Sequence, residues 1–194
     1  MSQLGPVTLE GRWIRLEPLR LHHATVLFQA GAPPEVWENL MDEFTSHEQM
    51  ETFIRTAMAL EAPGRGYAFA VIWRETGQAI GSTRFYDVDV VNRSVEIGWT
   101  WYTPAFWGTQ VNPEAKLLLM QHAFETWGAR RVWLKTDIRN THSQAAMRKM
   151  GATYEGTLRQ HRFRRDGSLR DTVIFSVIDP EWPAVKQGLL ERLG

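Results

Sequence analysis

Apolar positions recur along this chain with two different periods. Between Tyr67 and Tyr102 they fall in short runs separated by turn residues. Tyr67–Trp73 (YAFAVIW) is apolar almost throughout and predicts a central strand; Glu75-Thr76-Gly77-Gln78 predicts a hairpin turn. Ala79–Tyr86 and Ser94–Tyr102 predict two further strands around a turn at Asp87–Asn92, so the three runs make an antiparallel meander. The period then lengthens. Leu117, Leu118, Met120, Phe124 and Trp127 share one side of a helix that Gly128 stops, with Asn112 expected as its N-cap and Pro113 at its first position.

The same reading extends to both ends. Val7–Leu16 predicts a strand, with a turn at Gly11-Arg12, and Leu21–Ala30 a short helix that Gly31-Ala32-Pro33-Pro34 breaks. Ser46-His47-Glu48-Gln49 predicts the capped start of a helix running to Leu60. Arg131–Asp137 predicts a strand reached through a helical crossover, and therefore parallel to Ser94–Tyr102. Asn140–Met150 predicts a helix, Thr153–Phe163 and Leu169–Ile178 a hairpin around Arg165-Asp166-Gly167, and Pro180–Leu193 a last helix. The fold class expected is α/β: a mixed, mostly antiparallel, twisted sheet of about seven strands with helices on both faces, in one domain spanning residues 1–194.

Composition narrows the functions. With 22 basic and 22 acidic residues the net charge is zero, so no global field holds nucleic acid. Cysteine is absent, which removes disulfides, thiolate metal sites and a cysteine nucleophile. The six histidines show no metal-ligand spacing with carboxylates, so no metal is expected. No apolar run is long enough to span a bilayer, and the opening MSQLGPVTLEGRW lacks the basic start and apolar stretch of a secretory signal; the cytoplasm is the expected location.

The chemistry concentrates where Val95–Tyr102 runs through Phe106-Trp107-Gly108-Thr109-Gln110-Val111-Asn112 into the helix. A strand feeding a polar turn into a helix start aims unpaired N–H groups at one point, an arrangement suited to phosphate. The stretch resembles the pyrophosphate-binding turn of the GNAT superfamily of N-acetyltransferases, and looks most like the branch that acetylates protein N-termini, ribosomal proteins among them. Two departures stand out. Gln110 replaces the family's usual glycine and Asn112 its small residue; a glutamine forced into the left-handed region costs roughly 1–2 kcal/mol, which several amide–phosphate bonds can offset.

A second stretch resembles the same family: Lys135-Thr136-Asp137 followed by Asn140-Thr141-His142-Ser143, then Gly151-Ala152. The resemblance implies the acyl-CoA N-acyltransferase fold, acetyl-CoA as co-substrate, and contacts to it from Trp101, Tyr102, Thr103, Trp107, Gly108, Thr109, Gln110, Val111, Asn112, Asn140 and Ser143. On residue type alone Asn140 is equally a helix cap and Ser143 a first-turn polar residue. Backbone N–H groups at Trp101–Thr103 are candidate oxyanion donors.

The resemblance implies Glu96 as the general base, since related enzymes often place a carboxylate at this point of the strand, acting through water; alternation puts it on the face opposite Val95 and Ile97, and its other reading is an exposed carboxylate or a partner of Arg84 or Arg93. Ser143 and Tyr154 are candidate proton donors to the leaving thiolate. Trp99, Trp101 and Trp107 are placed to line an acceptor groove. An α-amine, with a pKa near ~7.7–8.0 against ~10.4 for lysine, needs roughly 3.5 kcal/mol less to deprotonate, so one modest base suits a protein N-terminus. A small-molecule amine, or a CoA-binding regulatory role without turnover, is the alternative, and the oligomeric state stays open, a homodimer included.

Overall fold

The computed structural model describes residues 4–194. One sheet of eight strands runs in the order β1-β2-β3-β4-β5-β6-β8-β7. The strands are β1 (Leu9–Glu10), β2 (Ile14–Pro18), β3 (Gly66–Trp73), β4 (Gln78–Asp89), β5 (Ser94–Tyr102), β6 (Arg131–Asp137), β7 (Thr153–Phe163) and β8 (Leu169–Ile178). The helices are α1 (Ala24–Ala30), α2 (His47–Met58), α3 (Val111–Gln121), α4 (Thr141–Lys149) and α5 (Trp182–Leu193). Every strand contact is antiparallel except β5 with β6, the parallel pair expected from the helical crossover. The count is eight rather than about seven because the turn after Gly11 divides the opening run into two paired strands.

The sheet buries both faces. On one, α3 and α5 pack Leu119, Met120 and Leu189 against Phe69, Phe85, Val95 and Ile97. On the other, α1 and α2 pack Leu27, Met50 and Ile54 against Ala68, Ala70 and Trp101. This two-sided burial explains why β3 reads as a continuous apolar run. Helix α2 starts as expected, with the Ser46 hydroxyl accepting from the Gln49 N–H at 3.2 Å. Among the described residues no helix is long and apolar enough to cross a membrane.

Helix α3 departs from expectation at its start. It begins at Val111 with Gln110 as N-cap, not at Pro113 with Asn112 as cap. The Thr109 hydroxyl accepts from the Val111 N–H at 3.3 Å and donates to the Phe106 carbonyl at 2.7 Å, which starts the helix two residues early. Pro113 then sits in the first turn, where a missing N–H leaves no intrahelical bond unmade. Farther along, the carboxylate of buried Glu114 accepts the N–H groups of Arg12, Trp13 and Ile14 at 2.6, 2.9 and 2.8 Å. Gly11 makes room for it, since a Cβ there would lie 2.5 Å from the Glu114 carboxyl carbon. The helix passes through a π-turn at His122–Trp127 and stops at Gly128, whose φ of 74° is left-handed.

Candidate active site

Strands β5 and β6 pair over only three positions, Ser94 with Arg131, Val95 with Val132 and Glu96 with Trp133. Beyond them the strands part. A bulge on β5 helps: the β4–β5 register shifts between Ser82 and Arg84, and Trp99 takes a φ of 54°. Such left-handed strain in a bulky residue costs of order 1–3 kcal/mol and persists where the surroundings enforce it. Gly81 lets the strands close beside the bulge, because a Cβ there would sit 2.1 Å from the Trp101 carbonyl.

The parted strands open a cavity of about 670 Å³. Its wall includes β5 from Glu96 to Tyr102, β6 at Leu134–Thr136, the turn at Phe106–Thr109, and Asn140 and Ser143 at the head of α4. Of the residues singled out in the sequence, Glu96, Trp101, Tyr102, Trp107, Gly108, Thr109, Asn112, Asn140 and Ser143 meet in this wall, as does Trp99. Thr103, Gln110, Val111 and Tyr154 do not. The Thr103 N–H already donates to the Ile80 carbonyl at 2.8 Å. Val111 is buried in the core. Tyr154 lies half exposed on β7, separated from β6 by β8, its hydroxyl 2.8 Å from that of Thr157.

The turn itself resolves the concern over Gln110. That residue is right-handed, with φ −69° and ψ −14°, and its side chain is exposed. The left-handed position is Gly108, at φ 73°. The strain expected at Gln110 therefore does not arise. Among the described residues the N–H groups of Gly108, Thr109 and Gln110 have no backbone partner, which leaves donors of the type a phosphate takes. Trp107 is pinned by its indole N–H to the Tyr102 carbonyl at 2.9 Å, and the Tyr102 hydroxyl donates to Asn112 Oδ1 at 3.3 Å. Burial pushes the Tyr102 phenol pKa up, so it stays protonated. Asn140 caps α4, accepting from the Ser143 N–H at 2.9 Å, while its Nδ2 remains a donor.

Glu96 sits where the strands diverge. It is 2% exposed and receives a hydrogen bond from Lys135 Nζ at 2.7 Å. Its partner is thus on the parallel neighbour strand, not Arg84 or Arg93. Burial raises its pKa above the ordinary carboxylate value, and the attraction of Lys135 only partly offsets this. A raised carboxylate accepts a proton more readily near neutral pH.

Sequence reasoning missed Lys116. It reaches from α3 into the cavity wall, buried, with Nζ donating to Thr100 Oγ1 at 2.8 Å. Burial lowers its pKa from 10.5 to about 7. A single lysine in the run Ala115–Met120 gave no sign of which side it faces. The aromatic loop that supplies Trp37 and Phe44 to the wall was equally hidden. Among the described residues one group of metal-ligating type occurs elsewhere: donor atoms of Glu17, His22 and His23 lie within 4.8 Å of one another. Arg15 holds Glu17, and the Arg20 N–H occupies His23 Nδ1 at 3.1 Å.

A mixed sheet splayed at its one parallel pair, with open amides at a helix start on one side of the gap, defines an acyl-CoA-dependent acyltransferase. The model of the acetyltransferase (GNAT) domain matches residues 14–153, and the chain belongs to that family of enzymes, which take acetyl from acetyl-CoA. It is 28% identical over 176 residues to the uncharacterized N-acetyltransferase p20 of Bacillus licheniformis, covering 90% of this chain and 98% of that protein. A GCN5-related N-acetyltransferase from Brucella melitensis superposes with a TM-score of 0.92 at 30% identity, over 100% of this chain and 88% of that one. RimL, a ribosomal L7/L12 alpha-N-protein acetyltransferase, shares the fold at 20% identity with a TM-score of 0.80, over 89% of this chain and 94% of that one.

Proposed function

We propose that this enzyme transfers the acetyl group of acetyl-CoA to the α-amine of a protein or peptide. The amides of Gly108, Thr109 and Gln110 take the pyrophosphate, and Asn140 Nδ2 and the open edge of β5 hold the pantetheine arm between β5 and β6. Glu96 accepts the proton of the ammonium, directly or through one water, and the free amine attacks the thioester carbonyl. A C–N bond forms, the C–S bond breaks, and Ser143 lies on the path by which the departing thiolate regains a proton. Burial of Glu96 at the divergence of the strands is the observation that carries this reading. A buried carboxylate with a raised pKa suits an α-amine, which holds its proton weakly, better than a lysine side chain. RimL, which shares the fold and is a ribosomal L7/L12 alpha-N-protein acetyltransferase, supports the same choice of acceptor.

Incubation with acetyl-CoA and a panel of N-terminal peptides, lysine-containing N-blocked peptides and small amines, with thiol release followed, tests the proposal. Turnover is expected with free peptide N-termini and is expected to fall at least about a hundredfold in Glu96→Gln. Release only with small amines would overturn the choice of acceptor; silence across the panel would overturn the activity.

A further inference from the structure

Arg84, on β4, has no role in the chemistry above, yet it is 3% exposed. Its guanidinium is bracketed by two rings, with Cζ 4.8 Å from the Phe53 centroid and 4.5 Å from that of Trp99. Among the described residues neither Nε nor Nη2 has a hydrogen-bond partner. Asp42 and Glu96 are near enough for their charges to act on it, but neither pairs with it. Burial nevertheless dominates and lowers its pKa to about 10, so the group remains a cation at neutral pH.

Arg84 and Trp99 line a second cavity of about 430 Å³, between α2 and the loop at Asp42–Phe44. It adjoins the main cavity, sharing Asp42, Phe44, Phe53 and Trp99 with it. Register places Arg84 opposite Gly98 and Tyr86 opposite Glu96. Arg84 and Glu96 therefore stand on the same face of the sheet, offset by about two residues, or roughly 7 Å. The strained backbone of Trp99 follows Gly98, the residue opposite Arg84, and supplies one ring of the bracket.

A planar fork of donors, fixed between aromatic faces and left without an acceptor, matches a carboxylate in both shape and charge. We infer that Arg84 sets acceptor specificity by receiving a carboxylate of the incoming chain while the α-amine lies at Glu96. The offset is that between the α-nitrogen and the side chain of the next residue in an extended peptide, so the preferred acceptor carries Asp or Glu at its second position. This rests on acetyl transfer to an α-amine as proposed above. Three acidic residues line the second cavity besides Arg84: Glu43 is paired with Arg165, burial raises the pKa of Asp42 above the ordinary carboxylate value, and Glu48 stands in the first turn of α2.

Two peptides identical except for Asp or Asn at the second position, with free aspartate as a third acceptor, separate the outcomes. Wild-type enzyme is expected to favour the Asp peptide by at least about tenfold in kcat/KM. In Arg84→Met the ratio is expected to fall to about one, and in Arg84→Lys, which keeps charge without the fork, to an intermediate value. Because each ratio is taken within one variant, a smaller folded fraction cancels. Equal use of both peptides by the wild type, or a ratio unchanged in Arg84→Met, would overturn the inference and leave Arg84 as a packed cation that Asp42 can meet. Free aspartate used better than either peptide would support the carboxylate contact and overturn the peptide as its source. Should no amine be acetylated, N-acetylaspartate, which has carboxylates and no amine, still reads the pocket. Thermal protection of the wild type but not of Arg84→Met would support the contact, and equal or absent protection would overturn it.

Discussion

Replacing Lys116 with Met should stabilise this enzyme, and by an amount that depends on pH. The ammonium is enclosed; among the described residues it has one neutral partner, the Thr100 hydroxyl at 2.8 Å, and no carboxylate in an ion pair with it. Burial takes its pKa from 10.5 to about 7. The sign follows from which state holds the proton. Between those two values the unfolded chain keeps the proton and the folded chain sheds it, so stability rises with pH across that window. Below pH 7 both states are charged and the full penalty of a buried charge is present; above 10.5 both are neutral and it vanishes. At 1.36 kcal/mol per pH unit the penalty is about 4 kcal/mol at pH 7 and about 2 kcal/mol at pH 9. Methionine fills similar space without a charge. It forfeits one hydrogen bond, worth about 1 kcal/mol, although Thr100 keeps its 2.8 Å contact with Thr83. Lys116→Met is therefore expected to be more stable by about 3 kcal/mol at pH 7 and by about 1 kcal/mol at pH 9. Urea unfolding of both proteins at the two pH values, extrapolated to water, gives the difference directly. Packing changes shift both values alike and leave their gap of about 2 kcal/mol intact. A gap near zero would refute the reasoning, because the lysine would then ionise in the folded protein as it does in water.

Three other outcomes are expected. Since burial holds the Glu96 pKa above 4.5, kcat/KM should fall as pH drops through that raised value, and Glu96→Gln should lose this acidic limb; a profile identical in both proteins would dismiss Glu96 as the base. A Cβ on Gly98 would lie 2.6 Å from Glu96 Oε1, so Gly98→Ala should push the carboxylate off Lys135 and lower kcat about tenfold or more with little change in melting temperature. Glu114→Ala strips three backbone N–H groups of their acceptor, and urea unfolding should show a loss of about 3 kcal/mol or more.

Local signals in the sequence located most of the architecture. Gly77 and Gly167 mark hairpins where the chain does turn left-handed, at φ 70° and 78°. The parallel pairing of β6 with β5 followed from the helix between them. What escaped depends on groups brought together from far apart. The start of α3 is set by Thr109, whose hydroxyl competes with Asn112 for the role of first acceptor, and composition cannot rank the two. Glu96 was legible as a candidate through the resemblance to related enzymes, which often place a carboxylate there, but its partner Lys135 comes from across the crossover. Arg84 and Lys116 look like ordinary surface charges until the fold encloses them. Tyr154 lies outside the cavity wall for the converse reason: one strand of separation from β6 is invisible in the motif around it.

The short parallel contact between β5 and β6 has a consequence for how the molecule comes apart. Strands β1 to β5 each pair with the next in sequence, and β6, β8 and β7 form a second group of neighbours. Within the second group β6 and β8 pair over seven positions, whereas the seam that joins the two groups has three. The catalytic gap lies along that seam. So thinly held a seam should loosen early under stress, and activity should vanish on warming before the two leaves of the sheet unravel.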